Sequence, residues 1–266
     1  MVQAPQRTAL SGPALIRILA RLTDNDATES SQSLSDRLSQ WLGWTDAIAL
    51  STVLSGAPPA VAASGARAFG PEQESECARV RTTLVNAIAG DSVLGAAKRR
   101  PGARVAPHAN VAAAPADAPV DYAVFRQRYT ALQQSMETAI GNLRGRLRGM
   151  LATKTPGMAR LAVVDAVMER ALAPREQSLL AALPGLLAPH FERLRDAEQA
   201  SLAAYEASAD AEAPADAPDT AAKSAAAPTP GAWLDAFRRD MQSVLLAELD
   251  VRLQPVEGLL AALRTS

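Results

Sequence analysis

Between Asp121 and Met150 the large apolar residues fall on a single stripe. Tyr122, Phe125, Tyr129, Leu132 and Met136 step by 3, 4, 3 and 4, and Ile140, Leu143, Leu147 and Met150 continue the pattern with one stutter at Met136 to Ile140. Steps that average near 3.5 put every one of these side chains on one face of a long helix, and such a face has to pack on other helices. Helical spacing recurs along the rest of the chain, whereas strand-like alternation of Val, Ile, Thr and Tyr does not. The composition agrees: 58 alanines stand against ten aromatic residues, and alanine is the best helix former and a poor strand former. The expected fold is therefore all-α, a helical bundle with a coiled-coil-like long helix and disordered Ala/Pro-rich linkers.

Punctuation by Pro and Gly divides the chain. Residues 11–55 read as an N-terminal helical unit. Its first helix follows Ser11-Gly-Pro13 and carries Leu15, Ile16, Ile18, Leu19 and Leu22; a second carries Leu34, Leu38, Trp41 and Leu42; a third, capped at Thr45, carries Ile48, Leu50, Val53 and Leu54. Residues 56–71 form a linker, and 72–98 a helix with Cys77, Val80, Leu84 and Ile88 on one face. Residues 99–120 hold four prolines among alanines, too little apolar surface to offset the entropy of ordering, and read as a disordered linker. Residues 121–206 form the bundle core, in which Pro174, Pro184 and Pro189 predict short helices with sharp corners. Residues 207–230, with eleven alanines, four prolines and four acids, read as a second disordered linker. Residues 231–264 return to amphipathic helix, with Pro255 starting a last short one, and read as C-terminal docking helices for the 121–205 region or for another chain.

Net charge of −1 and a pI of about 6.2 argue against a general nucleic-acid or membrane-surface protein. One cysteine excludes an intramolecular disulfide framework and a structural zinc site of the usual type. No stretch reaches the roughly 18–20 uncharged residues of a spanning helix, and no signal peptide is evident. These features predict a cytoplasmic protein without cofactor or metal.

Chemistry-bearing motifs are missing. His108 lies in a linker and His190 follows Pro189, neither with metal-ligand spacing; Cys77 reads as a small buried hydrophobe. No phosphate loop, nucleophile elbow or calcium loop is present. Trp41 and Trp44, flanking Gly43, read as anchors between the first helices. Three features remain as candidate sites. Trp233, Phe237, Met241 and Leu245 recur at i, i+4, i+8 and i+12 and suit docking into a protein groove. Gly141, Gly145 and Gly149, each costing a helix about 1 kcal/mol relative to alanine, suggest close packing or a hinge. Arg144, Arg146 and Arg148 belong to a 121–160 segment with seven basic and two acidic residues and could contact phosphates; Lys98-Arg-Arg100 reads as a solvated helix end.

The segments SQSLSDRLSQWLGWTD at 31–46, WLDAFRRDMQ at 233–242, LAELDVRLQP at 246–255, EQSLL at 176–180 and FERL at 191–194 resemble a beta-proteobacterial family of unknown function. The resemblance spans most of the chain outside its linkers. It brings no activity and no catalytic or binding residue, and implies at most a cytosolic accessory role beside envelope proteins. The sequence thus predicts a non-enzymatic cytoplasmic helical adaptor or assembly component acting on protein partners, itself among them. The alternative is a nucleic-acid-associated protein using the basic 126–160 region.

Overall fold

The computed structural model describes residues 13–23, 32–61, 71–95, 120–211 and 229–265. Linker residues 99–119 and 212–228, with His108 and Lys98-Arg-Arg100, lie outside them. The described residues form eight helices and no strand: α1 (Ala14–Thr23), α2 (Leu34–Trp41), α3 (Trp44–Ser55), α4 (Pro71–Ala89), α5 (Tyr122–Ala152), α6 (Pro156–Ala181), α7 (Leu183–Ala211) and α8 (Ala232–Arg264). The fold is all-α, as the apolar spacing predicts.

Helix ends follow local chemistry. The Asp121 side chain accepts from the Ala123 N–H to start α5, and Thr155 accepts from the Met158 N–H to start α6 with Pro156 in the first turn. Ser33 does the same for α2 through the Asp36 N–H. Helix α4 stops at Ala89, short of the expected residue 98, because the Asp91 carboxylate takes the N–H groups of Val93 and Leu94 and folds the chain into a turn.

Helix α5 is the central strut. Phe125, Tyr129, Leu132, Met136, Ile140, Leu143 and Leu147 are all buried, and the seam packs not on one partner but on α4, α6, α7 and α8. Helix α8 lies along it and also touches α1, α4 and α7. Its Phe237, Met241, Val244, Leu245, Leu249, Leu253, Val256, Leu259 and Leu263 belong to the same core. Burying side chains of this size contributes about 1.5–3 kcal/mol each. At one end Tyr122, Phe125, Phe191, Trp233 and Phe237 form an aromatic cluster, in which Phe191 meets Trp233 edge-on with centroids 4.9 Å apart.

Three expectations from the prolines and linkers change. Pro174, Pro189 and Pro255 lie inside α6, α7 and α8, so between residues 156 and 211 the helix is interrupted only at Ala182, and the last 33 residues of helix form one element. A proline costs a helix one hydrogen bond and some bending; beside Pro189 and Pro255, buried residues on both sides, Leu187 and Phe191, Leu253 and Val256, offset that cost. The 11–55 stretch is divided: α1 packs on α7 and α8, whereas α2 and α3 pack on α6. Finally, α7 continues to Ala211, into the segment expected as linker.

Candidate functional site

Helix α3 carries large apolar residues on both sides. Its inner side, Asp46, Ala49, Leu50 and Val53, is only half-buried against α6, and no residue of the helix is fully buried. On the outer side Trp44 is 82% exposed, Ile48 50% and Leu54 55%. Trp44 therefore does not anchor the first helices to one another, because the 100° helical step places it opposite the packed face. Trp41 is half-buried with the Arg175 guanidinium over its ring at 5.8 Å. Polar contacts from α6 fasten this pair of helices: Arg160 donates to the Gly56 carbonyl at the C-terminus of α3 at 2.5 Å, a favourable place for a cation. Arg170 lies 4.0 Å from Asp46. Ser51, Thr52 and Ser55 share the outer side with these large apolar groups, and the described residues leave that side open.

The four residues expected as a docking surface, Trp233, Phe237, Met241 and Leu245, are used inside the chain. Phe237, Met241 and Leu245 are fully buried in the core and Trp233 packs on Phe191. The C-terminal helix docks in cis, so these anchors do not form an outward-facing seam. Its start is held by α7: Glu198 accepts from the N–H groups of Gly231 at 3.0 Å and Trp233 at 3.3 Å, placing a carboxylate at the positive end of α8. Gly231 takes φ of 84°, a left-handed conformation that suits glycine.

Gly141, Gly145 and Gly149 line an exposed side of α5, and a Cβ added at any of them would meet nothing within 4 Å. Close packing among the described residues is not what these glycines serve. Arg144, Arg146 and Arg148 are all engaged with carboxylates of the same chain. Arg144 makes a two-pronged contact with Asp165 at 2.7 and 3.0 Å, Arg148 bonds both Asp165 and Glu169, and Arg146 pairs with Glu76 of α4 at 2.7 Å. Desolvation pulls the Arg148 pKa down, but its bonds to Glu169 and Asp165 more than offset this and hold it above the ordinary value. The positive charge of these three arginines is thus balanced by carboxylates of α6 and α4.

The structure also assembles two polar clusters that sequence reasoning does not reveal. Glu248 of α8 is completely buried. It accepts from Tyr129 Oη at 2.8 Å, from Gln133 Nε2 at 3.0 and 3.1 Å and from Arg252 Nε at 2.8 Å. Gln133 also donates to the Leu180 carbonyl at the end of α6, so the cluster ties three helices together. Burial, then the charge and hydrogen bond of Glu248, keep the Tyr129 phenol protonated far above its ordinary range. In the second cluster, His190 is buried between Asp240 of α8 at 2.9 Å and Arg193 at 3.0 Å, and Arg193 also donates to the Leu22 carbonyl of α1. Because a guanidinium can only donate, His190 Nδ1 accepts from Arg193, which leaves Nε2 facing the Asp240 carboxylate. The cluster seats α1 on the bundle. The Cys77 thiol is pushed up by burial and by Glu76, which disfavours a reactive thiolate. No group of three or more metal-binding side chains occurs among the described residues, and none of their helices is long and apolar enough to cross a membrane.

An all-helical bundle with one helix pair held on its flank, apolar face outward, is the class of protein these features define. The chain belongs to the family described as protein of unknown function (DUF3348), which it matches over residues 1–265. No curated protein and no solved structure matches it.

Proposed function

We propose that this chain is a non-enzymatic, cytoplasmic helical adaptor or assembly component that acts by protein–protein contact, with the outer face of α3 as its contact surface. The observation that carries this reading is the exposure of Trp44, Ile48 and Leu54 on a helix with no buried residue. Exposed tryptophan is costly to leave in water and is enriched where proteins bind one another. The free Cys77 suits a reducing compartment. Arg144, Arg146 and Arg148 are each paired with carboxylates of the same chain, which favours the protein-contact reading over the nucleic-acid alternative.

The test is affinity capture of the tagged full-length chain from its host, with and without nuclease, alongside the double variant Trp44→Ser/Ile48→Asp. A protein partner that survives nuclease, and is lost with the variant while circular dichroism and thermal midpoint stay unchanged, is the expected result. Equal recovery of the same partners by both proteins, or recovery that disappears with nuclease, overturns the proposal.

A further inference from the structure

A cleft of about 300 Å³ opens between α5, α6 and α8, lined among others by Glu137, Gly141, Glu176 and Arg252. That volume lies at the lower end of small-molecule sites. The Arg252 side chain is only 10% exposed, and its Nε is committed to Glu248. Its outer edge, Nη1 and Nη2, has no acceptor among the described residues although the side chain lines the cleft. A guanidinium held in this way offers a planar pair of donors that matches a carboxylate. The rest of the lining does not suit a simple anion. Glu137 accepts only from the Gln177 amide at 3.3 Å, and Glu176 has no hydrogen bond or ion pair among the described residues. Arg144 and Glu169 also line the cleft and pair with each other at 3.4 Å; with that pair balanced and Glu248 balancing Arg252, Glu137 and Glu176 leave an excess of negative charge around the cleft.

We propose that this cleft binds a small zwitterion of free amino-acid or dipeptide size, its carboxylate on the outer edge of Arg252 and its ammonium group with Glu137 and Glu176. Ile140, Ala173 and Pro255 supply an apolar wall. The space beside Gly141 is open, since a Cβ there would meet no neighbour within 4 Å. The α3 surface plays no part in this site, so each proposal stands or falls alone.

Calorimetric titration of the full-length protein with each standard L-amino acid and with glycylglycine tests it, with acetate and methylammonium as half-ligands. At least one zwitterion should bind, each half-ligand at least about tenfold more weakly. Glu176→Gln should weaken binding by about tenfold with an unchanged circular dichroism spectrum, and Gly141→Leu should block it. Failure of every amino acid and of glycylglycine to bind, acetate binding as tightly as the zwitterion, or unaltered affinity in Glu176→Gln would each overturn the proposal.

Discussion

Replacing Glu248 by leucine is the most informative single perturbation of the fold. The carboxylate is completely buried and takes hydrogen bonds from Tyr129, Gln133 and Arg252, at 2.8 to 3.1 Å. Removing it strands the Arg252 guanidinium, 10% exposed, and leaves two further donors without this acceptor. Breaking a buried pair from one side costs about 3–5 kcal/mol, a large share of the roughly 5–15 kcal/mol that holds a domain folded. Removing the charge from both sides is different, because a well-packed apolar pair of similar size avoids the desolvation penalty altogether. The double variant Glu248→Leu/Arg252→Leu should therefore regain most of what Glu248→Leu loses. Tyr129→Phe removes one charge-assisted bond and should cost about 1.5–3 kcal/mol. Urea unfolding followed by circular dichroism measures all of these, provided that the denaturant slope is unchanged between variants. The reasoning fails if Glu248→Leu alone costs under about 1 kcal/mol, or if the double variant is as unstable as the single one, against the expectation for a buried pair.

Gly145→Ala and Gly149→Ala should each stabilise the protein, by up to about 1 kcal/mol, because a methyl group there meets no neighbour and alanine favours the helix; a lower urea midpoint would reveal a contact that the open space does not account for. Gly231→Ala should cost roughly 1–2 kcal/mol by forcing a side chain into a left-handed conformation, and a neutral effect would mean that the turn before α8 relaxes freely. Burial pushes Tyr122 up to about 12, and Tyr129 is raised further. The folded state thus keeps both phenols protonated where the unfolded chain would ionise them. Their contribution to stability is fully present below pH 10.0, the ordinary phenol value, and is lost as pH climbs through about 12 for Tyr122. Phenolate absorbance should therefore show two of the three tyrosines titrating only as the protein unfolds, and three independent titrations near the ordinary value would contradict this.

Much of the helix layout was legible from residue spacing. The 121–150 seam and the amphipathic character of the last segment express local chemistry, which a single sequence displays; the cap expected at Thr45 does not form, since α3 begins at Trp44 with Gly43 as its N-cap. The candidate sites were less legible. Trp233, Phe237, Met241 and Leu245 read as a docking face because an apolar stripe shows only that a helix will be covered, not by which chain. The arginines at 144, 146 and 148 looked unbalanced because their counter-charges, Asp165, Glu169 and Glu76, lie on other helices. Glu248 lies 119 residues from Tyr129, and nothing in local sequence marks a glutamate as buried; the nearest signal is its position on the apolar side of the α8 stripe, four residues before Arg252.

Backbone propensity and apolar period were enough to set the class, all-α, together with the face that α5 turns inward, because both depend on neighbours within a turn or two. Packing decided the rest. Burial carries α7 and α8 through their prolines, folds α8 back onto α5 and draws α1 away from α2 and α3. Among the described residues it also leaves the outer face of α3 open. Those outcomes depend on the total area removed from water and on charges paired across distant segments, quantities summed over the whole molecule and carried by no single stretch of it.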